Sequence, residues 1–104
     1  MAYEARYILR PHPGANLDAV IESMKAGARL WKKHGASNVQ LWTVASGELG
    51  NLALTIQFDN AVDYAKVTDP LSADPEFRSW QASNLKTGAF SWVRSNLLRE
   101  LPLT

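Results

Sequence analysis

The chain has 104 residues, which is enough for one domain with its own hydrophobic core and too few for two. Eleven basic side chains stand against ten acidic ones, so the formal net charge is only +1, and 46% of the residues are apolar. This balance excludes the basic field of a general nucleic-acid binder and the composition of a disordered chain, and the absence of cysteine excludes disulfides and thiolate chemistry.

The N-terminus and the hydropathy pattern predict the compartment. No apolar run approaches the roughly 20 residues of a membrane span. The first ten residues, MAYEARYILR, lack the basic flank and apolar centre of a signal peptide. We therefore expect a cytoplasmic protein with no membrane partner, folded as one domain over residues 1–104.

The first two predicted elements are a strand and a long helix. Aromatic and aliphatic residues alternate with charged ones from Tyr3 to Arg10, and Pro11, Pro13 and Gly14 end this strand. Asn16 then stands where a helix cap belongs. From Leu17 to His34 apolar residues recur at spacings of three and four, which predicts an amphipathic helix.

A β-hairpin follows this helix. The segments Val39–Ala45 and Leu52–Phe58 alternate in polarity, and the Gly-containing stretch SGELGN connects them. The second of these strands has one apolar face, which should meet helices. Its other face is small or polar, and we expect it to stay bare in an isolated monomer together with neighbouring serines: Ala53, Thr55, Gln57, Ser91 and Ser95.

The second helical region is interrupted by proline. Asp59 and Asn60 cap a short helix, and Asp69-Pro70 is expected to break it, because proline disfavours helical geometry in the residue before it. Asp74-Pro75-Glu76 restarts a helix in the preferred order of cap, first-turn proline and first-turn acid. A last strand is predicted over Phe90–Leu98.

The resulting order is β-α-β-β-α-β with a broken second helix. Because parallel neighbours need right-handed helical crossovers, this order predicts an α+β, ferredoxin-like fold: a four-stranded antiparallel sheet with the helices on one face.

Four stretches of the chain carry a family resemblance. The strand and turn ARYILRPHPG, the hairpin VQLWTVASGELGNLALTIQF, the helix start ADPEFRSW and the terminal SWVRSNLLRELPL resemble the NIPSNAP-type members of the dimeric α+β barrel superfamily. The resemblance implies a homodimer in which two open sheet faces form a shared barrel, and a small-molecule cavity between sheet and helices. It implies no common reaction, because related proteins include cofactor-free oxygenases, cyclases and haem-degrading proteins.

Two histidines and two strand arginines are candidates for polar chemistry. His12 lies on the turn after the first strand, and the alternative is a solvated loop histidine; His34 ends the first helix, where a surface imidazole is stable beside the dipole. No carboxylate stands at metal-ligand spacing from either, so neither a metal site nor a haem ligand is predicted. Arg10 and Arg94 need a partner or solvent, and Arg94 alternates in step with Phe90 and Trp92.

Aromatic residues supply the candidate walls of a pocket. The chain has four tryptophans and three tyrosines. Trp31 is expected in the core, whereas other rings are candidates for the lining, with a tyrosine hydroxyl as donor: Trp42, Trp80, Trp92 and Tyr64.

The sequence thus leaves two functions open and does not decide whether the protein is an enzyme. The first is a homodimeric barrel that binds a small apolar or aromatic compound, as a cofactor-independent monooxygenase-like or cyclase-like enzyme, with Arg10, His12, Tyr64 and Arg94 as polar contacts. The alternative is a non-catalytic dimerisation or stress-associated module without a substrate. Haem handling is a third hypothesis, and it requires a histidine that faces the cavity.

Overall fold

The computed structural model describes residues 1–103 and contains four strands and three helices in the order β-α-β-β-α-α-β. The strands are β1 (Tyr3–Pro11), β2 (Asn38–Thr43), β3 (Leu52–Phe58) and β4 (Phe90–Arg99). The helices are α1 (Leu17–Lys33), α2 (Ala61–Ala73) and α3 (Pro75–Thr87). Strand β3 begins and ends where its alternation predicts, and the other predicted elements differ at their ends by a few residues.

The strands form one antiparallel sheet in the order β2-β3-β1-β4. Strand β1 is central and pairs with β3 from Tyr3 opposite Phe58 to Leu9 opposite Leu52. The predicted ferredoxin-like α+β fold is therefore confirmed. Strands β2 and β4 are the two edges, and their unequal cover by helices determines where the molecule is solid and where it is open.

The core lies between one sheet face and the helices. Residues of β3 alternate as predicted, and the apolar set that faces the helices is buried to 4% exposure or less: Leu52, Leu54, Ile56 and Phe58. Helix α1 packs Val20, Met24 and Trp31 against this face. Burial of such side chains contributes about 1.5–3 kcal/mol each, so this part of the sheet supplies most of the hydrophobic stabilisation.

Helix α1 begins as its sequence predicts. The side chain of Asn16 accepts a hydrogen bond from the amide of Ala19 at 3.3 Å, and Asp18 places a negative charge in the first turn. The buried stripe differs slightly from the predicted one, because Leu17 is half exposed and Gly27 is buried.

The helix break lies one turn later than predicted. Helix α2 does not stop at Asp69-Pro70 but contains Pro70 and ends at Ala73. Both Pro70 and Lys66, whose carbonyl loses its donor there, are on the exposed side, so water can solvate that carbonyl. Leu71 is 3% exposed. Burial of its side chain in the core stabilises a helix that continues past the proline.

Asp74 is the joint between the two helices. Its backbone amide donates to the carbonyl of Leu71 at 3.0 Å and so closes α2. Its side chain accepts from the amide of Glu76 at 2.9 Å and so opens α3, with Pro75 in the first turn. The predicted restart is confirmed, and one aspartate performs both capping functions.

A β-bulge in β4 changes which side chains share a face. Trp92 lies opposite Leu9 and Arg94 lies opposite Ile8, so the register of the ladder shifts between these rungs. The alternation predicted through Phe90, Trp92 and Arg94 therefore fails after Trp92: Arg94 shares the open face with Ile8.

The bulge also moves one serine of the predicted open face. Ser95 lies opposite Tyr7, which packs against the core, whereas Ser91 lies opposite Arg10 on the open face. The expectation that the open face is bare in the monomer is wrong for its centre. Ala53 and Thr55 are 8% and 4% exposed, because neighbouring side chains of the same face cover them, and the Trp42 indole donates to Thr55 Oγ1 at 2.9 Å.

Candidate functional site

A cleft of about 560 Å³ opens between α3 and β4, on the helix side of the sheet. Helix α3 carries one wall, and β4 carries the other. Eleven residues line the cleft, five of them aromatic: Tyr7, Trp31, Phe77, Trp80, Trp92, Gln81, Asn84, Leu85, Val93, Arg94 and Ser95. A concave, mostly aromatic surface with few polar groups is typical of a small-molecule site.

The aromatic walls form a continuous series of ring contacts. Trp31 meets Phe77 at 5.1 Å and Trp80 at 5.6 Å between ring centroids, in both cases with the planes at 89°. Trp92 lies 6.4 Å from Trp80 and 6.0 Å from Tyr7. These edge-to-face contacts fix the orientation of the rings and leave ring faces for a planar ligand.

Trp80 is held in place by α1. Its indole nitrogen donates to the backbone carbonyl of Ser23 at 2.8 Å. The ring lies against Gly27, and a Cβ at that position would stand only 2.5 Å from Trp80 Cζ2. Gly27 therefore supports Trp80 from outside the cleft lining, a role that sequence reasoning missed, although an isolated glycine inside a helical pattern is a signal for close packing.

Asn84 contributes a buried donor without an acceptor. The residue is 5% exposed, and its Oδ1 accepts from Ser23 Oγ at 2.6 Å. Its Nδ2 has no hydrogen-bond partner among the described residues. A buried donor in that state costs about 1–3 kcal/mol, so native proteins rarely keep one without a reason. Nothing in the sequence distinguished Asn84 from the other polar residues of α3.

Tyr7 supplies a second polar group to the lining. Burial raises the pKa of the Tyr7 phenol, and Tyr64 adds to the shift. The hydroxyl is therefore neutral over the physiological range and can act as a hydrogen-bond donor. Two donors, an amide and a phenol, thus lie in a cleft that is otherwise dominated by rings.

Only some of the predicted site residues meet in the cleft. Trp80 and Trp92 line it with their rings, and Arg94 belongs to the lining at the edge strand although its side chain shares the open face with Ile8. The Arg94 guanidinium is engaged by Glu48, with Nη1 and Oε1 2.7 Å apart. This hydrogen bond is the first cause that holds the pKa of Glu48 below its ordinary value, with a further contribution from Asn51.

The other four candidates lie outside the cleft. Tyr64 stacks on Tyr3, with ring centroids 6.2 Å apart. Trp42 borders a groove of about 380 Å³ on the open face, and Arg10 Nε donates to Asn51 Oδ1 at 3.2 Å. His12 contacts the backbone carbonyl of Gly88, in the α3–β4 connection, and the side chain of Ser91, near the start of β4. The structure thus does not bring the seven candidates together into one site.

His34 has a structural partner. Its Nε2 lies 2.7 Å from Asp74 Oδ2, and Lys33 Nζ lies 3.1 Å from the same oxygen. The hydrogen bond from His34 is the main cause that lowers the pKa of Asp74 from 3.8 to about 2, followed by the bond from the amide of Glu76. His34 therefore anchors the joint between α2 and α3 to the end of α1.

The described residues offer no metal centre and no membrane span. Within residues 1–103, no group of three His, Asp or Glu side chains is placed to hold a metal ion. None of the helices described is both long and apolar enough to cross a bilayer.

Solved structures share this fold at low sequence identity. A NIPSNAP family protein of unknown function from Agrobacterium tumefaciens superposes with a TM-score of 0.71 at 19% identity, covering 100% of this chain and 91% of that one. A NIPSNAP-like domain protein from Burkholderia xenovorans gives 0.71 at 14%, covering 99% and 88%. A putative antibiotic biosynthesis monooxygenase from Chloroflexus aurantiacus gives 0.68 at 14%, covering 98% and 95%.

The family itself follows from the sequence match. No curated protein sequence matches this chain significantly. The family model named NIPSNAP matches residues 3–103, nearly the whole length, and the structural neighbours share the fold. The resemblance noted in the sequence is therefore confirmed, and the chain belongs to the NIPSNAP family.

Proposed function

We propose that this protein binds a small, largely apolar aromatic compound in the cleft between α3 and β4. The observation that carries the proposal is the Nδ2 group of Asn84, a buried donor without an acceptor in the wall of an aromatic cleft. A ligand with a carbonyl or phenolate oxygen would satisfy this donor. The rest of the molecule would lie against the rings of Trp80 and Trp92.

The lining favours binding and orientation over acid-base catalysis. It contains no histidine, aspartate or glutamate, and its one arginine is engaged by Glu48. The remaining polar groups can hold and polarise an oxygen atom of a substrate. A cofactor-independent monooxygenase-like or cyclase-like reaction would need the substrate to supply its own reactivity, with Asn84 and Tyr7 stabilising charge on that oxygen. Similarity to a putative monooxygenase supports the shared fold alone.

The absence of a histidine or a carboxylate from the cleft lining favours a second candidate, a binding module without turnover. Neither His12 nor Arg10 belongs to the lining, so the acid-base residues that an enzyme would use lie elsewhere. Conversion of a bound compound to a product would decide against this candidate.

The functional unit that we propose is a homodimer. The open face presents Trp42, which is 52% exposed, and β4 leads into an apolar tail. Four leucines of this region are more than 40% exposed: Leu97, Leu98, Leu101 and Leu103. A second copy that packed against this region would bury the apolar groups, and few polar groups would lose their contacts with water. Light scattering should report a dimer at micromolar concentration, and a stable single chain would contradict the proposal.

The ligand proposal is tested with two probes that differ in one acceptor. Titration of 2-acetonaphthone and of 2-ethylnaphthalene, followed by amide NMR and by tryptophan fluorescence, compares a ketone with a hydrocarbon of similar shape. We expect the ketone to bind about tenfold more tightly, since one added hydrogen bond contributes about 0.5–1.5 kcal/mol. The shifted amides should belong to α3 and β4.

Two variants make the test specific. Asn84→Leu should remove the preference for the ketone while leaving affinity for the hydrocarbon intact. Asn96→Leu makes the same change opposite Arg6, on the open face, and should preserve the preference. Equal affinity for both probes in the unaltered protein, or shifts centred on Trp42, would contradict the proposal.

A further inference from the structure

A serine and a histidine meet on the open face, at the end of the sheet. His12 Nε2 lies 2.6 Å from Ser91 Oγ, and His12 Nδ1 is hydrogen bonded to the backbone carbonyl of Gly88. A carbonyl oxygen only accepts, so Nδ1 carries the proton and donates it to Gly88. Nε2 of the neutral ring is then the acceptor, and the Ser91 hydroxyl donates to it.

This arrangement has the connectivity of an activated nucleophile. The base lies within hydrogen-bond reach of the hydroxyl, and a third group orients the base. Here the backbone of Gly88 occupies the position that a carboxylate takes in a serine, histidine and aspartate triad. The chain holds both partners firmly, because the amide of His12 donates to the Ala89 carbonyl at 2.8 Å and ties the two loops together.

A cation stands beside the hydroxyl. Arg10 is the direct cross-strand partner of Ser91, so the two side chains share the open face about 5 Å apart at Cβ. Its Nε donates to Asn51, and its two terminal nitrogens donate to no acceptor among the described residues. An exposed guanidinium at that position is available to stabilise an oxyanion formed on a substrate of Ser91.

We propose that Ser91 is the nucleophile of an acyl-transfer site that accepts small activated esters, with His12 as general base and Arg10 as the stabiliser of negative charge. Ser91 Oγ bonds to the ester carbonyl carbon as its proton passes to His12 Nε2. The bond between that carbon and the leaving oxygen breaks, and His12 returns the proton to the departing alcohol. Water then adds to the acyl carbon as one of its protons passes to His12 Nε2. The bond between that carbon and Ser91 Oγ breaks, His12 returns the proton to Oγ, and the carboxylic acid leaves.

The proposed site goes beyond the cleft and does not depend on it. Ser91 and His12 are absent from the cleft lining, and the next residue, Trp92, faces the cleft from the opposite side of the sheet. Ser91 occupies the penultimate rung of the β1–β4 ladder, and its side chain is exposed. A small reagent can therefore reach the hydroxyl at this end of the sheet.

The first experiment treats the full-length protein with a fluorophosphonate probe and locates the adduct by peptide mass spectrometry. We expect labelling at Ser91 to exceed labelling at the exposed serines Ser79 and Ser83 by about 100-fold, because a general base contributes about 10²–10⁴-fold. Labelling spread evenly over the exposed serines, or absent from Ser91, would overturn the proposal.

The second experiment separates catalysis from structure. His12→Gln can still donate to the Gly88 carbonyl but cannot accept the serine proton, so labelling at Ser91 and release of p-nitrophenol from p-nitrophenyl acetate should both fall about 100-fold. Ser83→Ala is the matched control and should change neither rate.

A third variant covers the case in which His12→Gln fails to fold, as judged by circular dichroism. Ser91→Ala leaves the contact between His12 and Gly88 in place, so this variant should remain folded. It should release p-nitrophenol without a burst, whereas the unaltered protein should show a burst and carry an acetyl group on Ser91. An unchanged rate in Ser91→Ala would refute the proposal.

Discussion

Two halves of the same sheet differ in how the helices cover them. In the β3 half every residue of the strand except Gln57 is buried, and α1 lies directly on its apolar face. In the β4 half every residue of the strand except Phe90 is exposed, and a cleft separates the strand from α3. The comparison indicates that the first half supplies stability, whereas the second exposes aromatic surface, to which we assign the proposed binding.

The largest expected loss of stability comes from a cavity in the core of the β3 half. Leu54→Ala should lower the free energy of unfolding by about 3 kcal/mol, because Leu54 is 1% exposed and its removal leaves a cavity. Leu85→Ala, in the wall of the cleft, should cost less than about 0.5 kcal/mol, since Leu85 is 80% exposed. Urea denaturation measures both. Similar losses in the two variants would contradict the comparison.

The next effect arises where the halves meet, at Gly27. Gly27→Ala should destabilise the protein by about 1 kcal/mol, because overpacking costs about 1–3 kcal/mol and alanine regains about 1 kcal/mol of helix propensity. The Trp80 ring would have to move toward the cleft, which a change in tryptophan fluorescence should report. In a protein that already carries Trp80→Phe, Gly27→Ala should lower the free energy of unfolding by a smaller amount. An equal cost in both backgrounds would exclude contact with the indole as the cause.

The joint at Asp74 should make the stability of the protein depend on pH. Since its pKa is lowered from 3.8 to about 2, the carboxylate contributes stability above pH 3.8 that is lost as the pH falls toward 2. Its partners are Lys33, His34 and the amide of Glu76.

The measurement compares the unaltered protein with Asp74→Asn, which keeps a capping oxygen but lacks the charge. The difference in urea midpoint should be constant above about pH 5 and should shrink between pH 4 and pH 2. A difference that stays constant down to pH 2 would contradict the role assigned to the charge.

The last comparison concerns the polar pair in the wall of the cleft. Ser23→Ala alone should cost about 1 kcal/mol or more, because it leaves Asn84 Oδ1 unpaired as well as Nδ2. The double change Ser23→Ala/Asn84→Leu removes donor and acceptor together and should restore stability to within about 0.5 kcal/mol of the starting protein. Thermal or urea unfolding measures both. A double variant less stable than the single one would indicate that Asn84 serves the fold and not a ligand.

Much of the fold could be predicted from local pattern. The alternation in Leu52–Phe58, the Asn16 cap and the Asp74-Pro75-Glu76 helix start all appear where the sequence places them. The predicted break at Asp69-Pro70 was wrong, because the local effect of proline is the loss of one hydrogen bond, whereas the burial of Leu71 in the core stabilises the longer helix.

The site was predicted less well. Aromatic enrichment indicated Trp80 and Trp92 as candidate walls of a pocket; both line the cleft, and their contact with a ligand stays a prediction. Alternation could not place Arg94, because the bulge at Val93 arises from pairing with β1 and leaves no mark on the strand's own sequence. Asn84 was indistinguishable from its polar neighbours in α3, since its burial depends on a helix far away in sequence.

The sequence by itself determined the order of the elements, the apolar face of β3, the helix caps and the family. These features depend on residues within a few positions of one another, where steric preference and hydrogen bonding act locally. Only the tertiary structure decided that β4 stays uncovered and that Asn84 keeps a free donor. Such features depend on contacts between distant segments, for example Ser23 with Asn84, 61 positions apart, and Ser23 with Trp80, 57 positions apart.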